Sequence, residues 1–294
     1  MSRDVNCRLV MGLFWGDEGK AKAVDLLGEN ADIVARYQGG ANAGHTVYVD
    51  GEKFVFHQVP TGVLREGVTG VLGAGMVLDL PELAGEIKSL ERRGIGALSR
   101  VLVSPRAHLV TPLHKAVEKL REKRMGIGTT LRGIGPTYAD KYSRAGIRVG
   151  QLAAGEGLTE AAEKLRRMHM GEFRGAGESP PSVDEILGPL IEHRDLLSEV
   201  ITDVSVFLTE SLADGKKLLI EGAQGGMLDI DWGTYPYVTS SNTALSGVAS
   251  GLGIDPRKID QVVGLAKAFT TRVGNGPMPV ELTGEGGGRL RGTG

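Results

Sequence analysis

RLVMGLFWGDEGK, residues 8–20, decides the fold, because it joins an apolar strand to a glycine-rich turn and the first residue of a helix. The apolar run predicts a buried strand over Arg8–Phe14, and the helix is expected over Lys20–Leu27. Free N–H groups and the helix dipole favour an anion at such a turn. The turn is therefore either a phosphate loop or an ordinary capped helix start.

The turn does not match a Walker A loop. That loop needs a glycine where this chain has Phe14, and a serine or threonine where it has Ala21. Lys20 still offers a point charge to a phosphate. Asp17 has two interpretations: a Mg²⁺ ligand or catalytic base in a phosphate site, or an N-terminal helix cap.

A second glycine-rich segment, QGGANAGHT over residues 38–46, follows a predicted strand at Asp32–Tyr37. We expect it at the same edge of the sheet as the first turn. His45 lies inside this segment and is a candidate donor to a phosphoryl oxygen in a transition state. The alternative is an ordinary surface or core histidine.

Strand and helix signals along the chain predict an α/β sheet that carries a mainly helical insertion over roughly residues 105–215. Asp50–Gly51 predicts a hairpin turn. The polar, Gly/Pro-rich stretch Gly171–Ser182 is the best linker candidate. Glu285–Gly294 has no apolar pattern and is predicted to close no element.

Composition excludes some classes of protein. Lys+Arg 34 against Asp+Glu 36 leaves no basic excess, so we predict no nucleic-acid partner and no anionic membrane partner. Cys7 is a single thiol, which favours a reducing compartment. The apolar run Leu9–Trp15 is too short to span a membrane, so a cytoplasmic location is predicted.

Five sequence blocks together resemble the adenylosuccinate synthetase family. They are WGDEGKAK at 15–22, RYQGGANAGHTV at 36–47, IGTTLRGIGPTYADKYSRAGIRVG at 127–150, EGAQGGMLDIDWGTYPYVTSSNT at 221–243 and KAFTTRVGNGPMPVE at 267–281. Five long motifs in the family's order make a highly specific resemblance, and it covers nearly the whole chain.

The resemblance implies one α/β domain over residues 1–294, with a mainly parallel central sheet and surrounding helices. It also implies GTP-dependent ligation of L-aspartate to IMP, with Mg²⁺ as cofactor. In the family a base removes the N1 proton of IMP, O6 attacks the γ-phosphate of GTP, and the aspartate amine then displaces phosphate. The catalytic residues implied here are Asp17 as base, His45 as proton donor, and Lys20.

The resemblance also implies the binding residues. GTP is expected to contact Gly16, Asp17, Glu18, Gly19, Lys20, Ala21 and Lys22. IMP is expected to contact Asp17, Glu18, Gly19, Lys20, Asn42, Ala43, Gly44, His45, Thr130, Arg144, Gln224 and Thr239. The implied Mg²⁺ ligands are Asp17 and the backbone oxygen of Gly44.

Two of these residues have plain alternatives. Arg144 resembles an arginine that reaches the IMP phosphate of the neighbouring subunit, which implies a homodimer; without the resemblance it is a solvated helix residue. Gln224 resembles an IMP-binding residue; without the resemblance it is a turn residue next to a strand end.

The sequence departs from the family pattern in places. Ala21 replaces a glycine inside the helix, where we expect a slight cost. Leu131 replaces the glycine of IGTTGRG; if that glycine has a positive φ, leucine costs about 1–2 kcal/mol of backbone strain. Members of the family also continue for well over a hundred residues with an arginine-rich loop and a guanine-recognition motif. We expect the chain to be C-terminally truncated relative to them and inactive or poorly folded without that part.

Two other functions stay open. One is a phage-type relative of the family that uses dGMP, although those relatives tend to lose the residue equivalent to Asp17. The other is an inactive nucleotide-binding fragment, against which the presence of both Asp17 and His45 argues.

Overall fold

The computed structural model describes residues 5–49, 51–272, 274–282 and 284–291. The strands are β1 (Cys7–Gly12), β2 (Ile33–Arg36), β3 (His45–Val49), β4 (Glu52–Phe56), β5 (Thr69–Leu72), β6 (Val77–Leu78), β7 (Val101–Val103), β8 (His108–Leu109), β9 (Leu218–Gly225) and β10 (Gln261–Leu265). The helices are α1 (Lys20–Leu27), α2 (Leu80–Arg92), α3 (Pro112–Met125), α4 (Ile134–Tyr142), α5 (Val149–Ala154), α6 (Leu158–Ala176), α7 (Val183–Glu192), α8 (Arg194–Val200), α9 (Val204–Ala213), α10 (Ser246–Leu252) and α11 (Gly284–Arg291).

A parallel sheet organises the molecule. Within the described residues its spatial order is β10-β1-β9-β2-β5-β7, and each neighbouring pair runs parallel. Helices cover both faces, so central strands such as β2 are buried throughout. Val34 packs in one cluster with Val24 of α1, and Ile33 packs in another with Leu208 of α9. The expected α/β class with a mainly parallel sheet is confirmed.

The opening segment folds nearly as predicted. Helix α1 has the expected bounds, but β1 ends at Gly12 instead of reaching Phe14. The chain turns there because Gly12 lies against the loop that follows: a Cβ at Gly12 would stand 2.3 Å from Oε2 of Glu18. The predicted hairpin is present as the antiparallel pair β3 and β4, while Asp50 lies outside the described residues.

Two sequence predictions were wrong. Helix α6 continues to Ala176, so the first half of the predicted linker Gly171–Ser182 is helical; buried Phe173 anchors that last turn. The segment from Glu285 was predicted to close no element, yet Gly284–Arg291 forms α11. Residues 292–294 of that prediction lie outside the described residues.

The stretch between β8 and β9 is helical from α3 to α9. A buried carboxylate ties three of these helices together. Asp140 of α4 pairs with Nε2 of His114 on α3 at 3.1 Å and with Nε2 of His169 on α6 at 2.8 Å. Burial acts to raise the pKa of Asp140, but the two imidazoles outweigh burial and hold it well below its usual range.

Among the described residues, no helix combines the length and the apolar character needed to cross a bilayer.

Candidate active site

A cavity of about 770 Å³ opens at the rim where β1 and β9 end. Its near wall consists of residues 15–17, 19–22, 42–46 and 224, and its far wall of residues 125, 127–130, 235–240, 272, 274 and 275. Parts of α3 and α4 close the side between the two walls. Ligands of parallel α/β proteins bind in this kind of position, outside the carboxyl ends of the strands.

The buried side chain of Glu18 holds the first loop through hydrogen bonds. Its Oε1 accepts hydrogen bonds from the N–H groups of Phe14 at 3.1 Å and Gly16 at 3.0 Å. Its Oε2 accepts from Nζ of Lys20 at 2.6 Å. The Glu18 side chain is fully buried and, alone among residues 15–22, does not line the cavity. Its carboxylate therefore fixes the loop and Lys20.

Asp17 lies at the tip of this loop, exposed to the cavity, with a backbone φ of 61°. The N-cap position of α1 is Gly19, and no side chain caps the helix. The structure therefore does not support the interpretation of Asp17 as a helix cap. A left-handed conformation in a non-glycine residue is costly, and such strain concentrates at functional sites.

His45 begins β3 and is held by a strand from the middle of the sheet. Its Nδ1 is hydrogen-bonded to Oε1 of Glu221 on β9, while Glu221 Oε2 accepts from both the N–H and the hydroxyl of Thr61 at 2.9 and 3.0 Å. Within the described residues, Nε2 of His45 has no hydrogen-bond partner. Glu221 thus fixes the orientation of the ring and leaves Nε2 for a ligand.

Burial and neighbouring charges set the protonation state of the His45–Glu221 pair. Burial lowers the pKa of His45, with Glu221 opposing and the charges of Arg36 and Lys20 acting in the same direction as burial. Burial acts to raise the pKa of Glu221, but His45, Arg36 and the Thr61 N–H together hold it below its usual value. The resting pair is therefore a neutral imidazole beside a carboxylate.

Three polar side chains at the cavity carry buried atoms that have no hydrogen-bond partner within the described residues. They are Oε1 and Nε2 of Gln224, Oγ1 of Thr129 and Oε2 of Glu122. Buried polar atoms without partners are uncommon in folded proteins and cost free energy. Gln224 also has a φ of 54°. These orphaned atoms indicate a polar ligand in the cavity.

The structure brings together nearly all the residues predicted for the site. Gly16, Asp17, Gly19, Lys20, Ala21, Lys22, Asn42, Ala43, Gly44, His45, Thr130, Gln224 and Thr239 all line the one cavity. Two predicted residues, Glu18 and Arg144, do not line it. Glu18 is buried behind the first loop, and Arg144 is exposed on the surface of the described structure just after α4, with a φ of 60°.

The donors available for a metal are few. Within the described residues, no three His, Cys, Asp or Glu side chains converge as a metal cage. Asp17 and Gly44 line the same cavity, and Mg²⁺ is commonly held by one or two carboxylates plus phosphate and water oxygens. The residues present fit an ion that arrives with a phosphorylated ligand.

Sequence reasoning missed two functional residues. Glu221 was read only as part of the EGAQG block, and Arg272 only as part of the TTRVG block. Arg272 lies beside Trp15, 5.4 Å from the ring centroid, and donates to the carbonyls of Tyr237 and Asn275 at 2.8 and 2.9 Å. The contacts of Glu221 with His45 and of Arg272 with Trp15 and Tyr237 span long sequence separations, which no local pattern signals.

Fold and cavity together define a parallel α/β protein whose ligand site lies at the carboxyl ends of its strands. The family model described as adenylosuccinate synthetase matches residues 9–294. The chain belongs to the adenylosuccinate synthetase family.

Individual relatives support this family assignment. Adenylosuccinate synthetase 1, chloroplastic, of Physcomitrium patens is 49% identical over 286 residues, which are 96% of this chain and 56% of that protein. The adenylosuccinate synthetase of Salinibacter ruber is 46% identical over 295 residues, 96% of this chain and 67% of that protein. The structure of fully ligated adenylosuccinate synthetase from Plasmodium falciparum superimposes with a TM-score of 0.90 at 41% identity, covering 98% of this chain and 68% of that one.

Proposed function

We propose that the chain takes part in the GTP-dependent joining of L-aspartate to IMP, giving adenylosuccinate, GDP and phosphate in AMP biosynthesis. One observation carries the proposal: Asp17, His45 and the unpartnered amide of Gln224 line one cavity, although they come from three separate segments. A carboxylate, an imidazole and an amide in one polar cavity suit a purine nucleotide.

In the first step, Asp17 accepts the N1 proton of IMP, so that electron density moves to O6. O6 then attacks the γ-phosphorus of GTP, and the bond to the β–γ bridging oxygen breaks to release GDP. His45 Nε2 approaches the transferring phosphoryl group. Its resting pKa is lowered by burial, and the phosphate's negative charge together with Glu221 favours uptake of a proton there.

In the second step, the aspartate amine attacks C6 of 6-phosphoryl-IMP and loses a proton, and the C6–O bond breaks to release phosphate. The Asp17 carboxylate and the Gly44 carbonyl would hold Mg²⁺, which neutralises charge on the nucleotide phosphates. Lys20, held by Glu18, adds a fixed positive charge at the same rim.

The exposed position of Arg144 supports a role outside its own cavity. We propose that it reaches the IMP phosphate of a second copy, so that the active unit is a homodimer. We further propose that residues 1–294 form one domain with a mainly helical insertion at about 105–215, and that the protein works in the cytoplasm.

Binding of IMP tests the proposal directly. Isothermal titration of the chain with IMP should give a saturable signal, and Gln224→Ala should weaken affinity by about 10-fold or more, because the buried polar pairing is lost. Lys119→Ala, an exposed change on α3, is the control. No IMP binding by the wild-type chain, or tighter binding of dGMP than of IMP, would overturn the assignment.

Turnover provides a second readout. It is measured with GTP, aspartate and Mg²⁺ on the chain, and on the chain extended by the remaining residues of the Salinibacter ruber relative. Formation of adenylosuccinate by either protein supports the proposal. IMP binding without product from both proteins would favour the alternative of an inactive nucleotide-binding protein.

A further inference from the structure

The glycine-rich loop Gly126–Gly133, part of the IGTT block, connects α3 to α4 and borders the cavity. It carries Thr129 and Thr130, which line the cavity. Within the described residues, the backbone N–H groups of residues 129–132 donate to no protein atom. Contacts from outside residues 129–132 must therefore hold the loop in its shape.

Asn275 supplies part of that support, donating from Nδ2 to the carbonyl of Gly126 at 2.7 Å. The rest comes from two carboxylates one turn apart on α3. Oε1 of Glu122 accepts the N–H of Gly128 at 2.7 Å, and Oε2 of Glu118 accepts the N–H of Gly133 at 2.5 Å. The two acceptors bracket the unbonded stretch 129–132 from either side. Residues four apart on a helix lie on one face, so a single face of α3 holds both ends of the loop.

The same contact of Glu118 also lies at the start of the following helix. Gly133 is the N-cap of α4 and offers no side chain for capping. The Glu118 carboxylate stands at that helix start and satisfies its free N–H, which is the position the helix dipole favours for an anion. Glu118 is also buried, while Arg121 between the two carboxylates is engaged by Glu172 at 2.8 and 3.0 Å.

The placement of the two acids needs a reason, because negative charge beside a phosphate site repels the ligand. Backbone donation to both carboxylates offsets part of that charge and converts it into a support for the loop. We propose that Glu118 and Glu122 are positioning residues that hold loop Gly126–Gly133 in the shape that presents Thr129, Thr130 and the free N–H groups to a nucleotide phosphate. The part of this inference that concerns nucleotide binding rests on the proposed function.

Hydrogen exchange of the Gly128 and Gly133 amides, followed residue by residue by NMR, tests the support without any ligand. Glu122→Ala should speed exchange at Gly128 and Glu118→Ala should speed exchange at Gly133, each by about tenfold or more, while Glu118→Gln and Glu122→Gln, whose amide oxygens still accept, should stay near wild type. Lys119→Ala on the same helix is the matched control. Unchanged exchange in both alanine variants would overturn the inference.

Glu122→Asp separates support from charge. It keeps the charge but is one methylene too short to reach Gly128, so it should behave like alanine; wild-type exchange in this variant would contradict the assigned contact. Should Glu118→Ala fail to fold, as shown by circular dichroism, the three Glu122 variants decide the question.

Titration with IMP then tests whether the loop held by these two acids contributes to nucleotide binding. The affinity of Glu122→Ala should fall by about tenfold, and that of Glu122→Gln should be restored to near wild type. Faster exchange with unchanged affinity would refute the link to phosphate. If the wild-type chain binds no IMP at all, the proposed function fails, and the exchange data still decide whether the two acids hold the loop.

Discussion

The two walls of the cavity are built in different ways. The near wall is fixed by short-range bonds and by the sheet: Glu18 binds atoms within four residues of itself, and His45 is held by a buried strand. The far wall is held by side chains that join loops distant in sequence, such as Asn275, whose Nδ2 donates to the carbonyl of Gly126 at 2.7 Å. The proposed base and proton donor therefore lie on the wall that the sheet and its adjoining loop hold in place.

The largest effect is expected at the tip of the near wall. Asp17→Asn removes the proposed base without changing side-chain size, so turnover should fall by about 10²–10⁴-fold in any form of the protein that makes adenylosuccinate. The folding midpoint in urea should stay near wild type, because Asp17 is exposed and caps no helix. Substantial retained turnover would remove Asp17 from the role of base.

The second-largest effect is expected at Glu221, which is buried behind the near wall and holds His45. Glu221→Gln should lower the free energy of unfolding by about 3 kcal/mol, because a buried charge network loses the anion that is bonded to His45 and faces Arg36. The pKa of Glu221 is lowered in the folded state, so its contribution is complete above the unfolded value of about 4.3 and is lost as pH falls below it.

Urea unfolding at two pH values checks this. The gap between wild type and Glu221→Gln should be widest near pH 7 and should shrink below about pH 4. A gap that does not change over this range would show that the Glu221 charge adds nothing to stability.

The difference between the walls also explains what the sequence could predict. The strand, turn and helix around Gly16–Lys20 are encoded locally, by an apolar run followed by glycines, so their positions were predicted closely. The roles of Glu221 and Glu18 were not, because burial of a carboxylate depends on partners that only the fold supplies. On the far wall, Thr130 and Thr239 were found through family resemblance alone.

Errors in the elements have similar causes. α6 passes through Gly171 and Gly175 because both face open space and later apolar residues such as Phe173 are buried beneath the helix. Local composition signals a break there, and tertiary packing overrides it. The positive φ of Leu131, raised as a possibility by its replacement of a glycine, is present at 56°.

A smaller effect is expected on the far wall. Arg272→Ala removes donors to the carbonyls of Tyr237, Asn275 and Pro277, so we expect a loss of about 1–2 kcal/mol and faster proteolytic cleavage at residues 234–240. Arg257→Ala is the control, since that side chain is exposed and, among the residues that the structure describes, pairs with Asp255 alone. Equal cleavage rates in the two variants would mean that Arg272 does not hold the far wall.

The smallest expected effect is a gain in thermal stability. Leu131 is 45% exposed and has a φ of 56°, so Leu131→Gly removes backbone strain of about 1–2 kcal/mol while giving up little apolar burial. Glycine also makes the unfolded chain more flexible, which offsets roughly 0.5–1 kcal/mol of that gain. The net rise in Tm should be about 1–3 °C. Val206→Gly, at a 51% exposed position inside α9, should instead lower Tm. If both glycines lower Tm alike, Leu131 is not strained, and loop Gly126–Gly133 carries no conformational cost at this position.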